Sequence, residues 1–374
     1  MHSFTKLLCL ASTISSSLAT TSSKSCTDYT ITVNPTSSNF IWAAPFRNNF
    51  QVVDLLSNIA SRTAATSFNP YSGAAVQNAT YKISATFCTP TKSTGKKEIV
   101  LLLSHGLNFD KSYWDPNIEP QSYSFVDWAI GQGYSVFFYD RLGVGKSSTI
   151  SGFLNQASIQ VSILQQLATA VSTGKYTASF GTPKSLVLVG HSFGSIICAA
   201  ALAATPDLAD GVILTGFNYN ATNGAGFLEA FQPRIANGQD PKWHHLDNGY
   251  VAPVDIYSNV NAFFKAPDYD LKVVEYAQAN RQPFAINEAI SGNLVDIQPV
   301  NFTGPAMVIA GQFDLIFCTG QCDDVIEHPS AEIFSKAKAF KAVSYPGAGH
   351  GLNFAANATG SFKIITDFLQ ENGL

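Results

Sequence analysis

Apolar residues along this chain come in two rhythms. Continuous runs such as "EIVLLLSHG" (98–106), "YSVFFYD" (134–140), "SLVLVG" (185–190), "GVILTGF" (211–217) and "AMVIAG" (306–311) suit strands covered on both faces. "FKAVSYPG" (340–347) is a further strand candidate, and "ATYKISATFCTP" (79–90) alternates like an edge strand. Between them lie helical periods. Phe50, Val53, Leu56 and Ile59 fall on one face of a predicted helix. Ile159, Ile163, Leu167 and Val171 do the same within 153–173, with Gly174 as the stop. "FVDWAIGQG" (125–133), "SFGSIICAAALAATP" (192–206) and "GSFKIITDFLQENG" (360–373) read as three more helices.

Strands alternating with helices predict the α/β class, a mainly parallel sheet with helices on both faces. The alternation breaks over 218–300, rich in Phe, Tyr, Asn and Pro and without a convincing buried strand. That length is too great for a bare loop, so the stretch is expected to be a mostly helical cap or lid over the sheet's C-terminal edge. Residues 20–48 read as an extended lead-in within an N-terminal part, 20–95, that also supplies the first strands.

Composition narrows the class. The chain has 374 residues, 46% hydrophobic and 13% charged, enough apolar material for one large domain with an insertion. The net charge of −4 is scattered, with no basic stripe, so nucleic acid is not an expected partner. Residues 1–19 read as a secretory signal: Lys6, a short apolar stretch, then small residues at Ser17 and Ala19. No segment has about 18 uninterrupted apolar residues, so no transmembrane anchor is expected. Export fits four N-glycosylation sequons, at Asn78, Asn220, Asn301 and Asn357, none with proline in the middle position.

Cysteine use fits export as well. After loss of Cys9 with the signal, five remain, so at least one is unpaired or bonded to another chain. Cys198, inside "IICAAALAA", reads as a buried thiol, leaving Cys26–Cys88 and Cys318–Cys322 as the pairs. No CxxC pair or HxxxH spacing points to a metal, and no cofactor is expected.

The chemistry is concentrated in "VLVGHSFGS" (187–195), where a buried strand must turn abruptly into a helix with Ser192 at the apex. Such a turn strains the serine backbone and leaves no room for side chains two residues away, which Gly190 and Gly194 satisfy. Serine is a weak nucleophile and needs a base, itself oriented by an acid. His350, in the glycine-rich "YPGAGHGLNF" after the last predicted strand, is the candidate base. Asp314, in "VIAGQFDLIFC" just past another strand, is better placed as the acid than Asp323 or Asp324.

In that chain order, Ser192, Asp314, His350, the sequence resembles the α/β-hydrolase superfamily, from about residue 96 to the end. "LLLSHGLNFD" (101–110) is similar to the family's oxyanion loop, and "YDRLGVGKSS" (139–148) to its Asp-Arg-x-Gly-x-Gly-x-Ser turn. A phosphate-loop reading of the latter fails because Asp140 stands where the first glycine should be. The resemblance implies an α/β-hydrolase core over 96–217 and 301–374. It also implies an oxyanion hole from the N–H groups of Leu107 and Phe193, with His105 holding the loop.

The expected activity is secreted serine-hydrolase chemistry on a carboxylic ester or lactone. Aromatic residues of the cap, Phe227, Phe231 and Trp243 among them, point to an apolar small-molecule substrate, and His105 is a further candidate contact. Peptidase or C–C-bond hydrolase activity, or a lyase or cyclase step without net hydrolysis, are the alternatives on the same scaffold.

Overall fold

A computed structural model describes residues 24–92, 95–220 and 226–374. The secretory-signal segment 1–19 lies outside the described residues. The strands are β1 (Lys24–Val33), β2 (Thr36–Trp42), β3 (Tyr71–Asn78), β4 (Tyr81–Pro90), β5 (Ile99–Ser104), β6 (Ser135–Tyr139), β7 (Ser185–His191) and β8 (Gly211–Thr215). They continue as β9 (Arg234–Ile235), β10 (Tyr250–Ala252), β11 (Phe284–Ala285), β12 (Ala306–Gly311) and β13 (Phe340–Tyr345).

Eight strands form the main sheet, in the order β1-β4-β6-β5-β7-β8-β12-β13. Only β4 runs against its neighbours β1 and β6, and the remaining pairs are parallel. Every residue of β5, β6, β8 and β12 is buried, as continuous apolar runs require between two helical layers. Each such Val, Leu or Ile contributes roughly 1.5–3 kcal/mol of transfer free energy. The helix Ala157–Ser172 buries Ile159, Ile163, Leu167 and Val171 and ends before Gly174, whose φ of 83° few other residues adopt. It packs on the helix Phe193–Ala204, while Phe125–Gly131 packs on the final helix Ala358–Glu371. Among the described residues, no helix is long and apolar enough to cross a membrane.

Two features differ from the sequence-based expectations. First, "ATYKISATFCTP" is not at the edge. β1, from the expected lead-in, pairs along the whole of β4 and takes the edge, with Cys26 opposite Cys88 and disulfide-bonded to it. Second, the helix Asn49–Ala60 buries Val52 and Leu55, whereas Phe50 is 84% and Val53 44% exposed. Residues 226–300 are mainly helical, as expected, with a minor sheet among the helices. Four short helices, Gly226–Phe231, Ile256–Phe263, Leu271–Ala279 and Ile286–Ser291, accompany an antiparallel sheet of β9, β10 and β11.

The excursion between β1 and β4 braces that segment. Asn49 Oδ1 accepts from Ile235 N at 2.8 Å, and the Tyr71 hydroxyl donates to Asn287 Oδ1 at 2.8 Å. On its other side, Phe40 N donates to Gln156 Oε1 at 2.9 Å beside the helix Ala157–Ser172.

Candidate active site

Ser192 stands between the end of β7 and the helix Phe193–Ala204, with φ 55° and ψ −120°. A non-glycine residue there is strained. The turn is held by Ser192 N donating to Thr215 O at 2.9 Å and Ser195 Oγ donating to the same carbonyl at 2.9 Å. A Cβ on Gly190 would fall 2.5 Å from Ser195 N, and one on Gly194 only 2.0 Å from Ser104 O. Both glycines are therefore demanded by backbone approaching backbone. A Cβ on Gly106 would meet Ser192 Cβ at 2.9 Å, so the loop leaving β5 runs directly against the serine.

Asp314 caps the short helix Leu315–Cys318, where Oδ1 accepts from Ile316 N and Phe317 N, each at 2.9 Å. Its Oδ2 lies 2.7 Å from His350 Nδ1. The carboxylate accepts, so Nδ1 carries the proton and Nε2 of the neutral ring keeps its lone pair. That Nε2 is buried and bonds no protein atom, Ser192 Oγ included. The imidazole is enclosed by the rings of Phe263 at 5.3 Å, Phe317 at 5.8 Å and His191 at 4.9 Å. The disulfide Cys318–Cys322 closes the loop after Asp314. Asp323 is engaged elsewhere, accepting from Ser344 Oγ at 2.6 Å and Gln312 Nε2 at 2.8 Å. Those bonds, Ser344 first, hold its carboxyl below the usual range.

His191 and His105 are both buried. His191 stacks on Tyr113 at 4.4 Å and pairs through Nδ1 with Thr215 Oγ1 at 3.1 Å. Burial, with His350 and His105 adding to it, holds its pKa well below the ordinary imidazole value. His105 Nε2 accepts from Arg141 N at 3.1 Å, so its proton is on Nδ1 and donates to Gly106 O at 2.8 Å. Burial and then Arg141 lower its pKa far below the ordinary value, and it too stays neutral. His244 and His245 are exposed, and His328 sits on the surface beside Glu332.

A pocket opens over the serine, with about 630 Å³ of atom-free space, its open mouth included. Leu107, Ser192 and Phe193 line one part of it, and Phe227, Phe231, Phe263 and Phe317 form aromatic walls. Phe193 opens a helix, so its N–H has no partner within that helix. Of the side chains expected to touch substrate, Phe227 and Phe231 reach this pocket while His105 and Trp243 do not. His105 is held beneath the loop by the bonds just described. Trp243 belongs to a separate apolar cluster with Ala236, Leu246, Tyr250, Ala252 and Ala285, its ring flanked by Lys242 and Arg281. Sequence reasoning missed Ile196, Ile316 and Phe317. Ile196 is one turn after the serine and the other two lie two and three residues after Asp314, so nearness to the candidate triad was the available signal.

Cys198 is free and buried. The four sequon asparagines, Asn78, Asn220, Asn301 and Asn357, are all exposed.

The chain was compared with known proteins. Residues 99–359 match the sequence model of the alpha/beta hydrolase family. A search of curated proteins found none that matches. Among solved structures it is similar to a thermophilic esterase from Thermogutta terrifontis, at 17% identity and a TM-score of 0.53, covering 78% of this chain and 94% of that one. A bromoperoxidase from Bacillus anthracis matches at 19% identity and a TM-score of 0.53, covering 78% and 96%. A hydrolase from Pseudomonas aeruginosa PA01 matches at 16% and 0.52, covering 77% and 94%. At these identities the likeness is one of fold.

Proposed function

Because the chain belongs to the alpha/beta hydrolase family, we propose that it is a secreted serine hydrolase cleaving carboxylic esters or lactones of apolar character. The observation that carries this reading is the Asp314–His350 bond, which leaves a buried, unbonded Nε2 on a ring 4.9 Å from that of His191, the residue before Ser192. Ser192 Oγ attacks the acyl carbonyl as His350 Nε2 takes its proton, and Asp314 stabilises the imidazolium. The N–H groups of Leu107 and Phe193 receive the developing oxyanion. Collapse expels the alcohol, which leaves with the proton from His350. Water, deprotonated by the same nitrogen, then releases the acid and restores Ser192.

The apolar substrate class is supported by the pocket lining, with five phenylalanines beside Leu107, Ile196 and Ile316. Residues 218–300 act as the cap that supplies part of that wall. Export is supported by the two disulfides and by the exposure of all four sequon asparagines.

A fluorophosphonate probe and a series of p-nitrophenyl esters test the assignment. The wild type should be labelled on Ser192 and hydrolyse the esters, and Ser192→Ala should do neither. Hydrolysis by folded Ser192→Ala at the wild-type rate would overturn it.

A further inference from the structure

Arg141 and Glu288 form an ion pair in which both side chains are fully buried. Arg141 follows β6 in the core, and Glu288 lies in the helix Ile286–Ser291 of the cap. Glu288 is held in turn by Gln160 Nε2 at 2.7 Å and by Ala285 N at 3.4 Å. An apolar pair of similar volume would stabilise a protein interior as well or better, because two charges must be taken out of water. Stability alone therefore gives no account of the pair. Its surroundings do.

The Arg141 guanidinium touches Gly106, the residue before Leu107, and Phe193. Its Nη2 donates to Gly106 O at 3.3 Å, and its Cζ lies 4.8 Å from the centre of the Phe193 ring. The Gly106 carbonyl and the Leu107 N–H belong to one planar peptide, so a donor that fixes the carbonyl also fixes the direction of that N–H. His105 Nδ1 holds the same oxygen from the core side. The cap reaches the loop at further points. Gln282 N donates to Asn108 O at 2.9 Å, and Asn108 Nδ2 donates to Asn259 Oδ1 at 3.2 Å. Gln282 Nε2 donates to Asp110 Oδ2 at 3.0 Å.

We propose that Arg141 and Glu288 are positioning residues for the oxyanion peptide, so that the cap sets the aim of the Leu107 N–H as well as roofing the substrate. The proposal rests on the serine-hydrolase reading. Neither residue touches substrate. Glu288 anchors the guanidinium, the guanidinium orients the Gly106–Leu107 peptide, and that peptide meets the oxyanion.

The test compares wild type with the double variant Arg141→Met/Glu288→Leu and with Glu288→Gln, using p-nitrophenyl acetate, whose acetyl group is too small to report on the aromatic walls. The double variant removes both charges, and its folding is checked by circular dichroism and thermal melting. A mis-aimed oxyanion donor is felt in the transition state alone. The folded double variant should therefore lose kcat by roughly 10- to 100-fold, with KM within about threefold of wild type. Glu288→Gln keeps the shape and loses the charge, so it should fall by a smaller factor in kcat with KM likewise unchanged. Should the double variant fail to fold, Glu288→Gln decides alone. Wild-type kcat in a folded variant, with wild type active, overturns the positioning role and leaves the hydrolase reading standing. A wild type that hydrolyses no ester overturns that reading, and the positioning role falls with it.

Discussion

His350 Nδ1 lies 2.7 Å from Asp314 Oδ2, and both side chains are fully buried. The other carboxylate oxygen is committed to the amides of Ile316 and Phe317, so the carboxylate cannot rotate without losing two further bonds. The ring it holds is thereby fixed in both tilt and tautomer.

Replacing that oxygen by an amide nitrogen should be costly. Asp314→Asn either presents a donor to Nδ1, which favours the wrong tautomer, or turns its oxygen to Nδ1 and its NH2 against the amides of Ile316 and Phe317, which loses the two bonds that hold the side chain in place. A fall in kcat of about 10⁴-fold is expected, with an unchanged circular dichroism spectrum. Near-wild-type turnover, or turnover lost only on a second substitution at Asp323, would identify another acid.

Ser192 should be less stable than its own glycine variant. Its φ of 55° costs roughly 1–3 kcal/mol, which Ser192→Gly relieves while adding about 0.5–1 kcal/mol of chain entropy. The inactive glycine variant should melt up to roughly 3 °C above the equally inactive Ser192→Ala. A glycine variant that melts below the alanine one would mean that the elbow is unstrained.

The two disulfides should separate stability from activity. Cys26–Cys88 spans 62 positions and Cys318–Cys322 only 4, so chain-entropy reasoning gives about 4 and about 2 kcal/mol respectively. Alanine replacement of the first pair should lower the denaturation midpoint more. Replacement of the second should lower kcat more, because it frees the loop that carries Asp314. Measuring both quantities on both variants checks the crossover, and the same ranking in each measurement would refute it.

Phe227→Ala and Trp243→Ala should behave oppositely. Phe227 lines the pocket, so its truncation should reorder substrates by acyl size, by about 10- to 200-fold between butyrate and benzoate esters. Trp243 is packed in the cap's own small core, so its loss should cost roughly 3–5 kcal/mol of stability and leave the ranking unchanged. An altered ranking in a fully stable Trp243→Ala would return that residue to the pocket.

Cys198 should appear in the alkaline limb of stability. Burial pushes its thiol from 9.0 up to about 12. Below pH 9 both native and unfolded thiols are protonated, and the stabilisation is fully present. Above pH 9 the unfolded thiol ionises while the native one does not, so stability is lost toward pH 12 at about 1.4 kcal/mol per pH unit. Tyr139, also raised by burial, joins only above pH 10. Urea midpoints between pH 8.5 and 10 should fall less steeply for Cys198→Ala, and parallel curves would show that the thiol is not buried.

The sheet was legible because its central strands are unbroken apolar runs, and a period of that kind needs no tertiary information. The helix Asn49–Ala60 was legible as a helix but not by face. "FQVVDLLSNI" carries doublets at Val52-Val53 and Leu55-Leu56, so two adjacent stripes are almost equally apolar and only the neighbours decide. Strands of two or three residues, such as β9 and β11, are too short to show any alternation. The candidate serine, histidine and aspartate were each marked by a strand end or a glycine loop. The Arg141–Glu288 pair was not, because Arg141 lies in a recognisable turn but Glu288, 147 positions further on, has no local signature. Trp243 illustrates the converse: aromatic content says nothing of which side of a cap a ring will face.

The excursion between β1 and β4 bonds to the cap at Ile235 and Asn287, far along the chain. The two stretches are thus one piece of architecture written in two places. Anyone grafting a foreign cap onto this core, to change what it accepts, would have to transplant residues 34–80 along with it. A chimera that moved the cap alone would inherit a roof without its wall.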